Sequence, residues 1–232
     1  MLKPPRPGTG TNPGDVTGDH HLHPGEGQGP QTVPRSGTVR GGAFANLAGE
    51  DRSMLIGGHA ARLVGGDDAF LCGGDEAIIA GGKRAHVVGG DLSILTAGND
   101  SVVSGKDMST VTGGIGSTLY GGHRSTIVGG SMATLIGGTW SKVYGGDGAK
   151  VSGGNGSVME VRWYNKENRT YENVTINVGD GGVSPNTLYE LDNHGRVTVV
   201  RKLSKQEAPH QVNADMREVC TSNDDEREEK DR

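Results

Sequence analysis

The chain has 232 residues, of which 42 are glycine, and only 32% are hydrophobic, a share too low for a conventional globular core of this length. The glycines do not recur every third residue, which argues against collagen. No stretch approaches 18 apolar residues, which argues against a transmembrane helix, and the first residues form no apolar segment of the kind found in secretory signal peptides. The net charge of −5 argues against nucleic acid as a partner, and two cysteines, Cys72 and Cys220, are too few for a disulfide framework or a zinc site.

Residues 1–40 are rich in proline and glycine, a composition typical of a disordered leader or linker. The leader contains His20, His21 and His23. Because no carboxylate or cysteine accompanies them at fixed spacing, we interpret them as solvated linker residues and predict no metal site.

Residues 41–157 are organised as octads, most of which begin with a glycine pair that recurs every eight residues. Position five of every octad is alanine or serine, from Ala45 to Ser157, and position seven is aliphatic or methionine, from Leu47 to Met159. Positions six and eight vary widely. This alternation over four residues predicts a short strand with one face inward, and the glycines at positions one and two are predicted to form the turn through positive φ angles.

A single octad cannot close a coil around a filled interior, whereas two octads can. We therefore predict an all-β solenoid with two octads, or 16 residues, per coil, although a triangular coil of three octads is not excluded by the sequence. Fifteen octads then give a stack of about 36 Å at 4.8 Å per strand. Each unit buries its inner face only against its neighbours, so the ends need caps.

The octads stop after Gly153, and residues 158–203 are predicted to form a small β cap. Its expected strands are VMEVRWY, TYENVTINV, TLYEL and RVTVVRKL, separated by polar or glycine-rich turns. Four of the nine aromatic residues of the chain fall in this segment. Residues 204–232 are polar and charged, and we predict that they are disordered or form a frayed helix.

Octads such as AGNDSVVS, GGIGSTLY and GGHRSTIV, followed by the cap segment SVMEVRWYNKENRTYENVTINVGDGGVSPNTLYELD, resemble the repeats and the closing segment of bacterial ice nucleation proteins. The resemblance covers about residues 41–200. It implies a β-solenoid and a water-ordering function, and it suggests a bacterial outer-surface location, although the family's N-terminal anchoring domain has no counterpart here. The compartment is otherwise left unassigned.

The working motif of that family is Thr-x-Thr on the outer face, where hydroxyls and methyls about 4.8 Å apart order water. In this chain the motif falls on positions six and eight, and only Thr110-Val111-Thr112 matches it in full. The candidate residues facing ice or water are Thr96, Thr110, Thr112, Thr118, Thr126 and Thr134. The alternative is that these threonines simply suit exposed β positions.

Position eight is apolar in most octads, which predicts an outward apolar stripe and therefore an interface. The family's terminal coils lose Thr-x-Thr, gain basic residues and are associated with self-assembly. The self-association candidates are accordingly Ile56, Val64, Cys72, Val88, Tyr120, Val128, Ile136 and Tyr144, with the basic Arg124, Lys142 and Lys150. The alternative is that the leader, the tail or a differently shaped coil covers position eight.

No catalytic arrangement stands out, and a regular solenoid of small side chains offers no concave pocket, so we predict a non-catalytic protein without cofactor or metal. The expected partners are ice or ordered water and further copies of the chain. The alternative function is a structural scaffold or stalk module that binds a protein partner and has no ice activity.

Overall fold

The computed structural model describes residues 20–21 and 31–207, which form two long β-sheets and one short 3-10 helix, Lys205–Glu207. In chain order the strands are β1 (His20–His21), β2 (Gln31–Val33), β3 (Thr38–Arg40), β4 (Asn46–Gly49), β5 (Met54–Ile56), β6 (Arg62–Val64), β7 (Phe70–Cys72), β8 (Ile78–Ala80), β9 (His86–Val88), β10 (Ile94–Thr96), β11 (Val102–Ser104), β12 (Thr110–Gly113), β13 (Thr118–Gly121), β14 (Thr126–Gly129), β15 (Thr134–Gly137), β16 (Lys142–Gly145), β17 (Lys150–Ser152), β18 (Val158–Asn165), β19 (Thr170–Asn177), β20 (Thr187–Leu191) and β21 (Val197–Lys202).

Successive strands of the repeat alternate between the two sheets, so the coil contains two octads. Sheet A has the order β1-β3-β5-β7-β9-β11-β13-β15-β17-β20-β21, and sheet B has the order β19-β18-β16-β14-β12-β10-β8-β6-β4-β2. Residues 16 apart pair in parallel, as Leu95 does with Val111 in sheet B. The predicted 16-residue β-solenoid is therefore confirmed, with about eight turns, and the three-octad coil is excluded.

The interior is a narrow column of small and aliphatic side chains. Positions five and seven of the octads point inward as predicted: Ala77, Ser93, Leu95 and Ile127, for example, are all at most 1% exposed. Several buried serines satisfy their hydroxyls locally: Ser93 Oγ donates to the Gly90 carbonyl at 2.8 Å, and Ser125 Oγ donates to the Gly122 carbonyl at 2.8 Å. Alternation of small and aliphatic residues thus lets the two sheets pack closely.

The glycine pairs serve a different purpose from the predicted one. The residues with positive φ lie at position four of the octad, and most of them are not glycine, as in Leu92 at 58° and Arg124 at 55°. The first glycine of the pair leaves interior room: a Cβ on Gly57 would lie 2.5 Å from the Ala61 Cβ. The second leaves room for the preceding coil, since a Cβ on Gly74 would lie 2.8 Å from the His59 nitrogen.

The solenoid begins before the first predicted octad. Strands β2 and β3 lie within the predicted leader, so the prediction of disorder up to residue 40 is wrong for residues 31–40. Val33 occupies the inward position that is normally glycine, and Gly37 occupies the inward alanine or serine position, where a Cβ would lie 2.5 Å from Val33 Cγ1. This exchange keeps the interior filled without the Gly-Gly pair. The rest of the leader, apart from β1, lies outside the described residues.

The C-terminal cap consists of two hairpins, one added to each sheet. β18 continues sheet B in parallel with β16, and β19 returns antiparallel to it. β20 pairs antiparallel with β17 and with β21 in sheet A. The turn between β20 and β21 packs on Trp163, because a Cβ on Gly195 would lie 2.5 Å from the indole ring. All four strands lie where the sequence predicts them.

Candidate functional site

The outer face of sheet B carries a contiguous group of threonines. Thr96, Thr110, Thr112 and Thr126, here called the threonine patch, lie on the adjacent strands β10, β12 and β14 and are exposed or half-buried. Thr96 pairs with Thr112, and Thr110 pairs with Thr126, in exact parallel register. The structure therefore brings four of the six predicted water-facing threonines together on one face.

Exposed aliphatic side chains surround the threonine patch. Ile78 and Ile94 precede it at position six, with 41% and 50% of their surface exposed. Val128 adjoins it at position eight with 39% exposed. Val111 and Ile127, between the outward residues, are fully buried, which fixes the strands that carry the patch. The face thus combines hydroxyls and methyls on a rigid backbone.

The remaining two candidate threonines, Thr118 and Thr134, lie on sheet A at the opposite side of the solenoid. They pair with each other at position six of β13 and β15, and both are half-buried. They are therefore not part of the threonine patch.

The apolar stripe predicted at position eight is divided into two rows, because alternate octads face opposite sides. Val64, Val128 and Tyr144 lie on sheet B and are 55%, 39% and 40% exposed. The other candidates at this position, Ile56, Cys72, Val88, Tyr120 and Ile136, lie on sheet A. A single continuous stripe along the solenoid is therefore wrong.

Most side chains at position eight of sheet A are buried although they lie on the outer face of the sheet; Ile56 and Tyr120 are half-buried. Cys72 is 4% exposed, Val88 is 1% and Ile136 is 3%. Ser104 and Ser152 in the same row are also buried. We call the position-eight residues of sheet A from Ile56 to Ser152 the covered row. Cys72, moreover, is disulfide-bonded, a bond that the sequence analysis did not predict.

The last described residues are held together by an ion pair between Arg201 and Glu207. Arg201 Nη1 and Nη2 donate to the Glu207 carboxylate at 2.8 and 2.5 Å, and Ser204 also donates to that carboxylate. The hydrogen bond from Arg201 is the main cause that lowers the pKa of Glu207 to about 2. Burial, followed by the negative charge of Glu207, raises the pKa of the Tyr120 hydroxyl above its usual value.

The three basic candidates are distributed over different surfaces. Lys142 lies on sheet B next to Thr126, Lys150 lies on sheet A next to Thr134, and both are exposed. Arg124 is an exposed turn residue at position four with a φ of 55°. Only Lys142 thus shares a face with the threonine patch.

A ladder of acidic and amide side chains holds the turns of successive coils together. Asp75 Oδ1 accepts from the Asp91 amide at 2.9 Å, Asp91 Oδ1 accepts from the Asp107 amide at 3.1 Å, and Asp107 Oδ1 accepts from the His123 amide at 2.8 Å. The acids at position three therefore bond to backbone amides. Within residues 20–21 and 31–207, no group of three or more histidine, cysteine or acidic side chains could hold a metal ion.

One edge of the solenoid carries exposed apolar residues that the sequence analysis missed. At position four, four of the turns that follow strands of sheet A hold an apolar residue that is at least 50% exposed: Phe44, Leu92, Met108 and Trp140. The signal in the sequence was an apolar residue directly before the inward alanine or serine. This signal was hard to recognise because position four also contains charged residues. In addition, the side chain at position four points outward because the backbone there is left-handed.

Comparisons with known proteins give no family assignment: no family model, no curated protein and no solved structure matches the chain. Among the helices of the described part, none is long and apolar enough to cross a membrane.

Proposed function

We propose that this chain is a non-catalytic β-solenoid, similar to ice nucleation proteins, that orders water and binds ice weakly through sheet B and self-assembles through its sides. The observation that carries the proposal is the threonine patch, which is contiguous and in register, with each threonine exposed or half-buried. The proposed function is assigned to an outer surface, because side chains fill the interior of the solenoid.

The chemistry of the patch suits water ordering. Neighbouring parallel strands place equivalent side chains about 4.8 Å apart, and alternate residues of one strand lie about 6.6 Å apart. Each threonine offers a hydroxyl that bonds water and a methyl that restricts its orientation. Because Val111 and Ile127 are fully buried beneath the patch, the spacing is held by the packed interior.

The small size of the patch makes assembly part of the proposal. Only three strands carry its threonines, so one chain would hold a small layer of ordered water. Val128, Tyr144 and Lys142 adjoin the patch toward the cap and are exposed. We therefore propose that copies associate through this end of sheet B and extend the ordered layer.

A droplet-freezing assay with two matched double variants tests the water-ordering function. Thr110→Lys with Thr126→Lys changes a cross-strand pair of the patch, and Thr118→Lys with Thr134→Lys changes the equivalent pair on sheet A. The first variant should lose any rise in freezing temperature over buffer, whereas the second should keep it. Equal loss in both would contradict a function located on sheet B.

The wild-type chain separates this proposal from the scaffold alternative. A scaffold that binds a protein partner predicts no freezing shift above buffer for the wild-type chain. Light scattering tests assembly: a wild-type monomer at micromolar concentration would refute it. If the chain is oligomeric, Val128→Ser with Tyr144→Lys should reduce the mass to that of a monomer while the circular dichroism spectrum stays unchanged.

A further inference from the structure

One edge of the solenoid presents a straight row of side chains at position four. We call the position-four residues at this edge, from Phe44 to Gly156 in steps of 16 residues, the edge strip. Every non-glycine residue of the strip has a φ angle between 54° and 60°. Their amides bind the next coil, as the Glu76 amide does when it donates to the Asp91 carbonyl at 2.8 Å. The strip is therefore rigid, and its members follow one another at about 4.8 Å.

The edge strip leaves two large aromatic side chains and two charges exposed. Phe44 and Trp140, near its two ends, are 74% and 63% exposed. Glu76 and Arg124 are also exposed, and neither forms an ion pair within the described residues. These two charges lie three coils apart, or about 14 Å, so they cannot pair within one chain. Aromatic, methionine and arginine side chains are enriched at protein interfaces, which favours a contact surface here.

The order of residues in the edge strip is complementary to its own reverse. When a second copy runs antiparallel about a two-fold axis between Leu92 and Met108, these two half-exposed residues face each other across the contact. Glu76 then faces Arg124 of the second copy, and Arg124 faces Glu76 of the second copy. In a parallel pair, each charge would instead face the same charge and be repelled. The charges of the strip therefore favour the antiparallel arrangement.

The aromatic rings at the two ends of the strip also meet in the antiparallel arrangement. The Trp140 indole lies over Gly156 of the next coil, since a Cβ on Gly156 would lie 2.7 Å from the ring. The Phe44 ring likewise reaches the next coil, where it contacts the His59 ring edge-on at a centroid distance of 5.8 Å. Both rings are thus displaced in the same direction along the chain. Reversal of the second copy therefore places Phe44 opposite Trp140 at each end, a contact that aromatic pairs favour.

We propose that two copies of the chain associate antiparallel through the edge strip, about a two-fold axis between Leu92 and Met108. The contact contains two aromatic pairs and two ion pairs around a central apolar cluster. Because the two-fold axis is perpendicular to the sheets, sheet B of both copies faces the same side, and the two threonine patches lie in one layer. The dimer itself depends neither on water ordering nor on association through sheet B.

The size and the acidic residues of this edge make the dimer weak. The strip is about 34 Å long and about 10 Å wide, so each copy buries on the order of 340 Å², which is less than stable dimers bury. At position three, Asp91 faces Asp107 of the second copy, although each carboxylate already accepts a hydrogen bond from a backbone amide. Asp75 faces His123 of the second copy. We therefore expect dimers at hundreds of micromolar and monomers at low micromolar concentration.

Sedimentation equilibrium of the full-length chain, from micromolar to near-millimolar concentration, tests the dimer. Every protein carries Val128→Ser with Tyr144→Lys, which removes the separate association through sheet B. This background should convert from monomer to dimer as the concentration rises. Glu76→Arg alone, or Arg124→Glu alone, should weaken the dimer about tenfold, because each places like charges opposite each other twice. The two substitutions combined should restore it, because opposite charges face each other again.

Trp140→Ser should also weaken the dimer. Its matched control is Met132→Ser, which changes a 68% exposed residue at position four of the opposite edge and should leave the dimer unchanged. A background protein that stays monomeric near millimolar concentration would overturn the proposal. So would equal weakening by the control, or a combined charge exchange that does not restore the dimer. Circular dichroism verifies that each variant keeps the solenoid, and no readout depends on ice activity.

Discussion

Replacing the second glycine of an octad by alanine should destabilise the solenoid only where a preceding coil lies beneath it. Gly42 and Gly74 occupy the same octad position on the same edge. A Cβ on Gly42 would meet nothing within 4 Å, whereas a Cβ on Gly74 would lie 2.8 Å from the His59 nitrogen and 2.9 Å from the Gly58 carbonyl carbon. Comparing Gly42→Ala with Gly74→Ala therefore isolates the effect of contact with the preceding coil, because the octad position and the edge of the solenoid are the same.

The loss of stability expected for Gly74→Ala follows from the distances around Gly74. Ordinary contact begins near 3.4 Å, so Gly74→Ala must separate two coils by about 0.6 Å. The hydrogen bond from the Gly74 amide to the Gly58 carbonyl, now 3.0 Å, would lengthen to about 3.6 Å and be lost. A lost backbone hydrogen bond costs about 1 kcal/mol, and overpacking costs about 1–3 kcal/mol. Gly74→Ala should therefore lower the free energy of unfolding by about 2–4 kcal/mol.

Gly42→Ala should leave stability unchanged or raise it by about 0.4–1 kcal/mol, because alanine restricts the unfolded chain. Equilibrium urea unfolding, followed by the β-sheet circular dichroism signal, measures both free energies, and equal m-values verify that the same surface becomes exposed. Equal destabilisation by the two substitutions would refute the steric explanation and would favour a conformational role of the glycine in the turn.

Three further predictions concern the interior, the turn ladder and the last described residues. Leu95→Ala should lower the free energy of unfolding by about 2–5 kcal/mol because Leu95 is fully buried, whereas Ile94→Ala, at a half-exposed neighbour, should have a much smaller effect in the same urea titration. Asp91→Ala should cost about 1–3 kcal/mol, since it leaves the amide 16 residues later without its acceptor, and an unchanged thermal midpoint would contradict this. Because Arg201 lowers the pKa of Glu207 to about 2, the Glu207 carboxylate stabilises the folded chain at pH values above the pKa that it has in the unfolded chain. This contribution to stability is lost as the pH falls toward 2. An NMR titration that gives an ordinary pKa for the Glu207 carboxyl would contradict the ion pair.

The repeat, the inward positions and the strands of the cap were predictable from the amino-acid pattern of each short segment. Alanine or serine at position five and an aliphatic residue at position seven recur so strictly that only a β face packed on its neighbours explains them, and Leu95 and Ile127 are buried accordingly. The break in the octads after Gly153 and the aromatic residues that follow likewise marked β18 to β21. The repeat and the inward positions are local properties, because each octad contains the pattern of its own strand.

Which outward residues share a face, and which of them remain exposed, depends on how the coils stack. Whether Thr110 lies beside Thr126 or beside Thr118 depends on how many octads close a coil, a choice that no single octad encodes. The role of the glycine pairs also depends on contact with the preceding coil, which is 16 residues away in sequence. The burial of Cys72 and Val88 depends on contacts that their own octads do not specify, so an apolar stripe that looked uniform in the sequence became one exposed row and one covered row.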